Sequence, residues 1–398
     1  APASGNGQIL VRVNDGVADL TSNTAVKATG NSWSQVYGAS SGGFTTADPG
    51  TAMLGSNGRS VTLSNGNQLY MSNVLNAGNM FTLYDPNGNP ITVAAAPGVG
   101  NNTLADAAVL PNGEFAVFTA SSTATTRQVT TFYADGQQKS TAPVTFSLPS
   151  GSPMAAAVTS TGNYVVVYAD ATAGKQAYYW KVINGTTGAD VTGPVQLSTT
   201  GTVTSYASPP AGESDLVKLT DGRIAMVWTS NSGVGGYQIL KADGTPDSAV
   251  NNISTANDVR AIDTVALANG GFAVTTFSYF KVQLNVYSAQ GARGTTIDVI
   301  TDNYLYMYNS PVVQLSNGNL AVAYAYTSNG NGSTYGGPEK VYVKIFDPST
   351  GALLNTVSAS ETATTIQGGT ESTLDLAPTT DGGFYLTYQR ADGALVQR

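Results

Sequence analysis

The sequence predicts an all-β fold of repeated four-stranded antiparallel sheets, on three observations. A hairpin signal recurs along the chain, each recurrence carries the same set of strands, and the second strand of each set is apolar on both faces. The stretch "SPVVQLSNGNLAVAYAY" (310–326) shows the hairpin signal. Alternating apolar runs on either side of Asn-Gly predict a β-hairpin with a type I′ turn. Equivalent turn glycines stand at Gly16, Gly66, Gly113, Gly162, Gly222, Gly270, Gly318 and Gly382, at intervals of 50, 47, 49, 60, 48, 48 and 64 residues. A period near 48 over 398 residues marks a repeat array rather than two or three unrelated domains.

Within each copy the elements follow in a fixed order. A first strand leads into the turn ("DLVKLTDG", "DTVALANGG", "VVQLSNG") and a second leaves it ("RIAMVWT", "GFAVTTF", "NLAVAYAY"). A third ends before another glycine turn ("MFTLYDPNG", "VTTFYADG", "VYVKIFDPSTG"), and a short fourth such as "ALLNTVSA" completes the set. No stretch has helical periodicity. On the second strand Phe115/Val117, Tyr164/Val166/Tyr168, Ile224/Met226/Trp228, Leu320/Val322/Tyr324 and Phe384/Leu386/Tyr388 share one face, while Ala116, Val165, Ala225 and Ala321 share the other. A sheet exposed on one side would put polar residues there. A bulky face opposite a small apolar face instead suits sheets covered on both sides, as in the stacked blades of a β-propeller.

The prediction is therefore a β-propeller spanning residues 1–398 as one domain with eight sequence repeats. The N-terminal copy, "ILVRVNDGVADL" and "SWSQVYGASSGGFTT", is degenerate, and the C-terminal copy stops at "GALVQR". The alternative is seven blades, with the N-terminal segment lending "QILVRV" to close the last one. Ile224, Met226, Phe272, Val322 and Leu386 are expected between sheets, and Trp180 and Trp228 in the core.

The pattern L-x-[ND]-G-G-F-x-V-x-[WY] followed by V-x-x-[YF]-D-x-x-G resembles the propeller-type repeats of large secreted and surface-associated proteobacterial proteins, often found with calcium-binding RTX arrays. The resemblance covers the chain from about residue 8. It implies the fold and an extracellular or bacterial cell-surface setting, and it brings no catalytic signature. The nonapeptide calcium repeats are missing.

Composition narrows the chemistry. Lys+Arg number 17 against 25 Asp+Glu, a net charge of −8, and charged residues make up 11% of the chain, against roughly 25% in ordinary soluble domains. Gly, Ser, Thr, Asn and Ala fill the difference, as in secreted surface proteins. Without a basic patch, nucleic acid and anionic lipid are not expected partners. Cysteine and histidine are both absent. Ser-His-Asp and Cys-His catalysis are thus excluded, as are the commonest zinc ligands. No apolar run reaches the roughly 18 residues that span a membrane. The start "APASGNGQ" fits either a mature terminus left by signal cleavage or an arbitrary boundary.

In a meander of four strands, the first-to-second and third-to-fourth turns lie at one end of the blade and the remaining connections at the other. The tight turns all fall on the first face. The long segments 198–214, 301–310, 327–337 and 358–372 fall on the second, where insertions in repeat proteins often build binding sites. There Tyr304, Tyr306 and Tyr308 alternate along one segment, and Tyr206 and Tyr335 sit among Ser, Gly and Thr. Tyrosines of this kind can stack on sugar rings and hydrogen-bond through their hydroxyls; packing between blades is the competing role, above all for the alternating three. Asp85, Asn87 and Asn89 in "YDPNGNP" form a weak calcium candidate, since Gly88 breaks the order of an EF-type loop and Asx turns need no metal.

No cofactor is expected. The acids Glu213, Asp215, Glu361 and Glu371 are scattered, and the Asp box of sialidases is absent. The reading that follows is a non-catalytic extracellular recognition or adhesion module, lectin-like in using the long-loop face. Its partners would be a glycan, a surface protein or copies of itself. The alternative is a structural subunit of a surface layer, sheath or filament. A polysaccharide-degrading enzyme is the third class, weakened by the missing histidine.

Overall fold

The computed structural model describes residues 54–74, 78–85, 90–91, 103–120, 125–139, 142–149, 154–170, 177–197, 214–229, 235–253, 261–278, 281–301, 310–327, 339–358, 374–379, 382–389 and 395–397. They form 27 strands in seven antiparallel sheets, each a meander in which sequence neighbours pair. Sheets one to six have four strands. They begin at Leu54, Thr103, Met154, Ser214, Ala261 and Val312, and the seventh, from Asp375, has three. The first strand of each sheet lies against the first strand of the next, and that of the seventh lies against that of the first. The chain is a β-propeller.

Eight blades, or seven complete ones, were expected; among the described residues there are six complete blades and a three-stranded seventh sheet. The ring closes where the seventh sheet meets the first, with Gln68 Nε2 donating to the Pro378 carbonyl at 3.4 Å. The copy read around Gly16, and the loan of "QILVRV" with it, lie outside the described residues.

Packing between blades follows the two-faced second strand. Ala155, Ala157, Val165 and Val167 of blade three pack on Ile224, Met226 and Trp228 of blade four. Ala225 and Val227 of blade four meet Phe272 and Val274 of blade five in the same way. Six such clusters fill the six junctions from blades one/two to six/seven. Ile224, Met226, Phe272, Val322 and Leu386 are all at most 1% exposed, and Trp180 and Trp228 are buried, as expected. Small residues on one face let the neighbour's large side chains interdigitate, which is what close-packed interiors require.

The hairpin turns differ from the type I′ expectation. Gly66 N donates to Leu63 O at 2.9 Å and Leu63 N to Asn67 O at 2.8 Å, with Gly66 at φ +85°. This is a three-residue loop, a type I turn followed by a left-handed glycine bulge. The same pattern recurs at Gly113, Gly222, Gly270 and Gly318. It explains why the preceding residue is Asn or Asp. Its oxygen accepts the N–H two residues on, as Asn65 does for Asn67 at 3.0 Å and Asp221 for Arg223 at 3.1 Å.

Burial also sets an alkaline limit. It pushes the phenols of Tyr164, Tyr168 and Tyr324 up to about 12; at Tyr168 the charges of Asp170 and Asp190 add to it. The unfolded chain releases these protons near pH 10. Their contribution to stability is therefore full below pH 10 and is lost as pH rises toward about 12. Tyrosinate absorbance followed beside circular dichroism should show late titration coinciding with loss of β structure. Tyr164→Phe should make the fold less sensitive to alkali.

Candidate functional site

The two ends of the ring are built differently. At the tight-turn end, three junctions have the turn of one blade bonded to the outer turn of the next. Asn67 Nδ2 donates to Ala134 O at 3.0 Å, Ser160 N to Ala242 O at 2.9 Å, and Arg223 Nη2 to Ala289 O at 2.6 Å. Arg223 is also paired with Asp221 at 2.7 Å and Asp247 at 3.1 Å. These turns are committed to holding blades in register. In each described sheet the second strand ends, and the third begins, at the opposite end, because each sheet is a simple meander. Tyr206, Tyr304, Tyr306, Tyr308 and Tyr335, the contact residues expected there, lie outside the described residues.

Inside the ring a second set of contacts joins neighbours. Seven residues before the turn glycine, four of the seven sheets carry aspartate: Asp106, Asp215, Asp263 and Asp375. The Asp106 carboxylate accepts from Ala107 N at 2.8 Å and from Ala156 N of the next blade at 2.6 Å. Asp215 accepts from Leu216 N at 2.8 Å and Thr264 N at 2.9 Å, and Asp263 accepts from Val312 N at 2.7 Å. Asp375 accepts from Leu376 N at 2.9 Å. Asp215, read from sequence as a scattered loop acid, is thus a buried inter-blade clamp. Its signal was the fixed offset from the turn glycine. Two lysines act similarly on the third strands. Lys181 Nζ donates to Ser147 O at 3.0 Å and pairs with Asp190 at 2.7 Å, and Lys344 Nζ donates to Val299 O at 2.6 Å.

Of the weak calcium candidates, Asp85 is half-buried, while Asn87 and Asn89 lie outside the described residues. The corresponding turn of blade six, "FDPSTG", is an Asx turn in which the Asp347 carboxylate accepts from Ser349 N at 2.8 Å and Ser349 Oγ at 2.7 Å. Those bonds hold the Asp347 carboxyl below its ordinary range. No group of three or more His, Cys, Asp or Glu side chains is placed to hold a metal among the described residues. No helix among them is long and apolar enough to cross a membrane.

The junction between the seventh sheet and the first departs from the rest. Two residues after the turn glycine, the other sheets place Phe115, Tyr164, Ile224, Phe272, Leu320 and Phe384, all buried. The first blade has Gln68 there, 5% exposed. One residue further on, blades two to six have Ala116, Val165, Ala225, Ala273 and Ala321, whereas the seventh sheet has Tyr385. Large-on-small packing is thus reversed at this seam, and a pocket of about 220 Å³ remains, opening on the tight-turn face. Gln68, Gln314, Thr62, Ser316, Pro378 and Tyr385 line it. Sequence reading missed this site, although the break in the bulky column at Gln68 was legible.

No protein-family model matches the chain, and no curated protein matches it. Among solved structures, the chain is similar to a protein of unknown function from Dyadobacter fermentans DSM 18053, at 11% identity and a TM-score of 0.47 over 75% of this chain and 93% of that one. It is similar to AofleA from Arthrobotrys oligospora at 14% identity and a TM-score of 0.47, over 79% and 88% of the two chains. A structure of the Dos1 propeller aligns at 10% identity with a TM-score of 0.46, over 87% of this chain and 93% of that one. The propeller assignment rests on the seven sheets themselves.

Proposed function

We propose that this chain is a non-catalytic recognition or adhesion module that works outside the cell, holding a glycan or a surface protein on its long-loop face. The observation that carries the reading is the division of labour between the two ends. The tight turns are bonded blade to blade at three junctions, while the second strands of the described sheets run out at the opposite end, to which the sequence assigns its long segments. The fate of the inner acids supports the absence of catalysis. Asp106, Asp215 and Asp263 spend their carboxylates on backbone N–H groups and are poorly placed to act as acid and base. The low charge and the resemblance to secreted proteobacterial repeats support the extracellular setting.

Tyr206, Tyr304 and Tyr335 are the contact residues to change. Replacing all three with Ala should weaken binding to an array of bacterial polysaccharides and leave the thermal transition nearly unmoved. A variant that loses its folded state would assign them to packing instead. Ordered self-assembly of the unmodified chain without any glycan would favour the structural-subunit reading.

A further inference from the structure

We propose that the seam between the seventh sheet and the first is a second binding site, on the tight-turn face, for a neutral hydroxyl-rich molecule about the size of one pyranose ring. It does not depend on the long-loop reading. The starting point is Gln68, which stands where six other sheets bury a large apolar side chain. Burying an amide there is unfavourable unless its hydrogen bonds are met. A position that breaks the pattern of its own repeat is where a functional site is expected.

The amides at the pocket are held in fixed orientations by the protein. Gln68 Oε1 accepts from Thr62 Oγ1 at 3.0 Å, which turns its Nε2 toward Pro378 O at 3.4 Å. Gln314 Oε1 accepts from Ala268 N at 2.7 Å, and its Nε2 donates to Gly318 O at 3.0 Å. Each amide has two N–H donors and two oxygen lone pairs, so each keeps one of both to offer. A donor beside an acceptor, presented twice, matches neighbouring hydroxyls that both give and take a proton. Ser316 adds a hydroxyl at the exposed rim and Thr62 an acceptor oxygen, and Pro378 and Tyr385 supply carbon surface. No Asp, Glu, Lys or Arg lines the pocket, which disfavours phosphates, carboxylates and amines. A pyranose ring, with carbon faces and an equatorial rim of hydroxyls, fits this combination.

The test uses the full chain and free D-glucose, D-galactose, D-mannose, L-fucose and N-acetyl-D-glucosamine, each read by saturation-transfer NMR. At least one should bind the unmodified protein. Gln68→Phe, which restores the side chain used by the other blades, should abolish that signal while holding or raising the thermal midpoint. Ser316→Trp, at the exposed rim, should abolish it by blocking the mouth, and serves if Gln68→Phe does not fold. The Tyr206/Tyr304/Tyr335 alanine variant should keep it. Three results would overturn the proposal: none of the five sugars binding, binding that survives both seam variants, or binding lost only in the tyrosine variant, which would place the sugar on the long-loop face.

Discussion

Phe272→Ala should destabilise the propeller by about 3–5 kcal/mol, the range for deleting a buried aromatic ring. Phe272 is fully buried at the junction of blades four and five. Its ring stacks on Tyr287 with centroids 4.7 Å apart and meets Tyr237 edge-on at 5.6 Å. Blade four faces it with Ala225 and Val227, too short to collapse into the space left behind, and with Tyr237, whose hydroxyl is tied down by donating to the Gly291 carbonyl at 2.5 Å. The cavity therefore persists, and its full cost is felt. Phe272→Leu, keeping most of the volume, should recover more than half of the loss. Urea unfolding read as a shifted midpoint at unchanged slope measures both. Equal losses for Leu and Ala would mean that ring stacking, rather than filled volume, holds this junction.

Asp106→Ala should cost about 2–6 kcal/mol although it removes only three heavy atoms from the surface of a strand. The carboxylate accepts from Ala107 N and from Ala156 N of the next blade, and both donors are buried. Leaving a buried donor without a partner costs about 1–3 kcal/mol, and here two are orphaned together. Asp106→Asn should recover only part of this, since its second oxygen becomes an N–H facing an N–H. Hydrogen exchange at the Ala156 amide gives a local readout. A variant that loses under about 1 kcal/mol and keeps that amide protected would show that the clamp is dispensable.

Much of this architecture was legible because it is local and repeated. The strand quartet, the turn glycines and the burial of Ile224 and Val322 follow from alternation and spacing alone. The turn type was not. Asn-Gly fits both a two-residue type I′ loop and a three-residue loop with a glycine bulge, and only the Gly66-to-Leu63 and Leu63-to-Asn67 bonds separate them. Blade count was misjudged because closure is a contact between the two ends of the array, which no repeat encodes by itself. The inner aspartates were hidden by being read one at a time: Asp215 alone looks like a surface acid, and only its shared offset with Asp106 and Asp263 gives it a role. Gln68 was overlooked for the opposite reason, since attention to the repeated pattern passes over the one copy that breaks it.

Closure of the ring at the Gln68 seam carries the most weight here, because the blade count and the pocket both depend on it. The chain has no cysteine, so an introduced pair reacts without background. Thr62 of blade one and Ser316 of blade six are exposed and line the same pocket. Thr62→Cys with Ser316→Cys, treated at low protein concentration with a short bismaleimide, should give a high yield of an intramolecular link, resolved by mass spectrometry of the peptides and absent in urea. Two cysteines each modified singly, with no link between them in the folded protein, would contradict closure between the seventh sheet and the first.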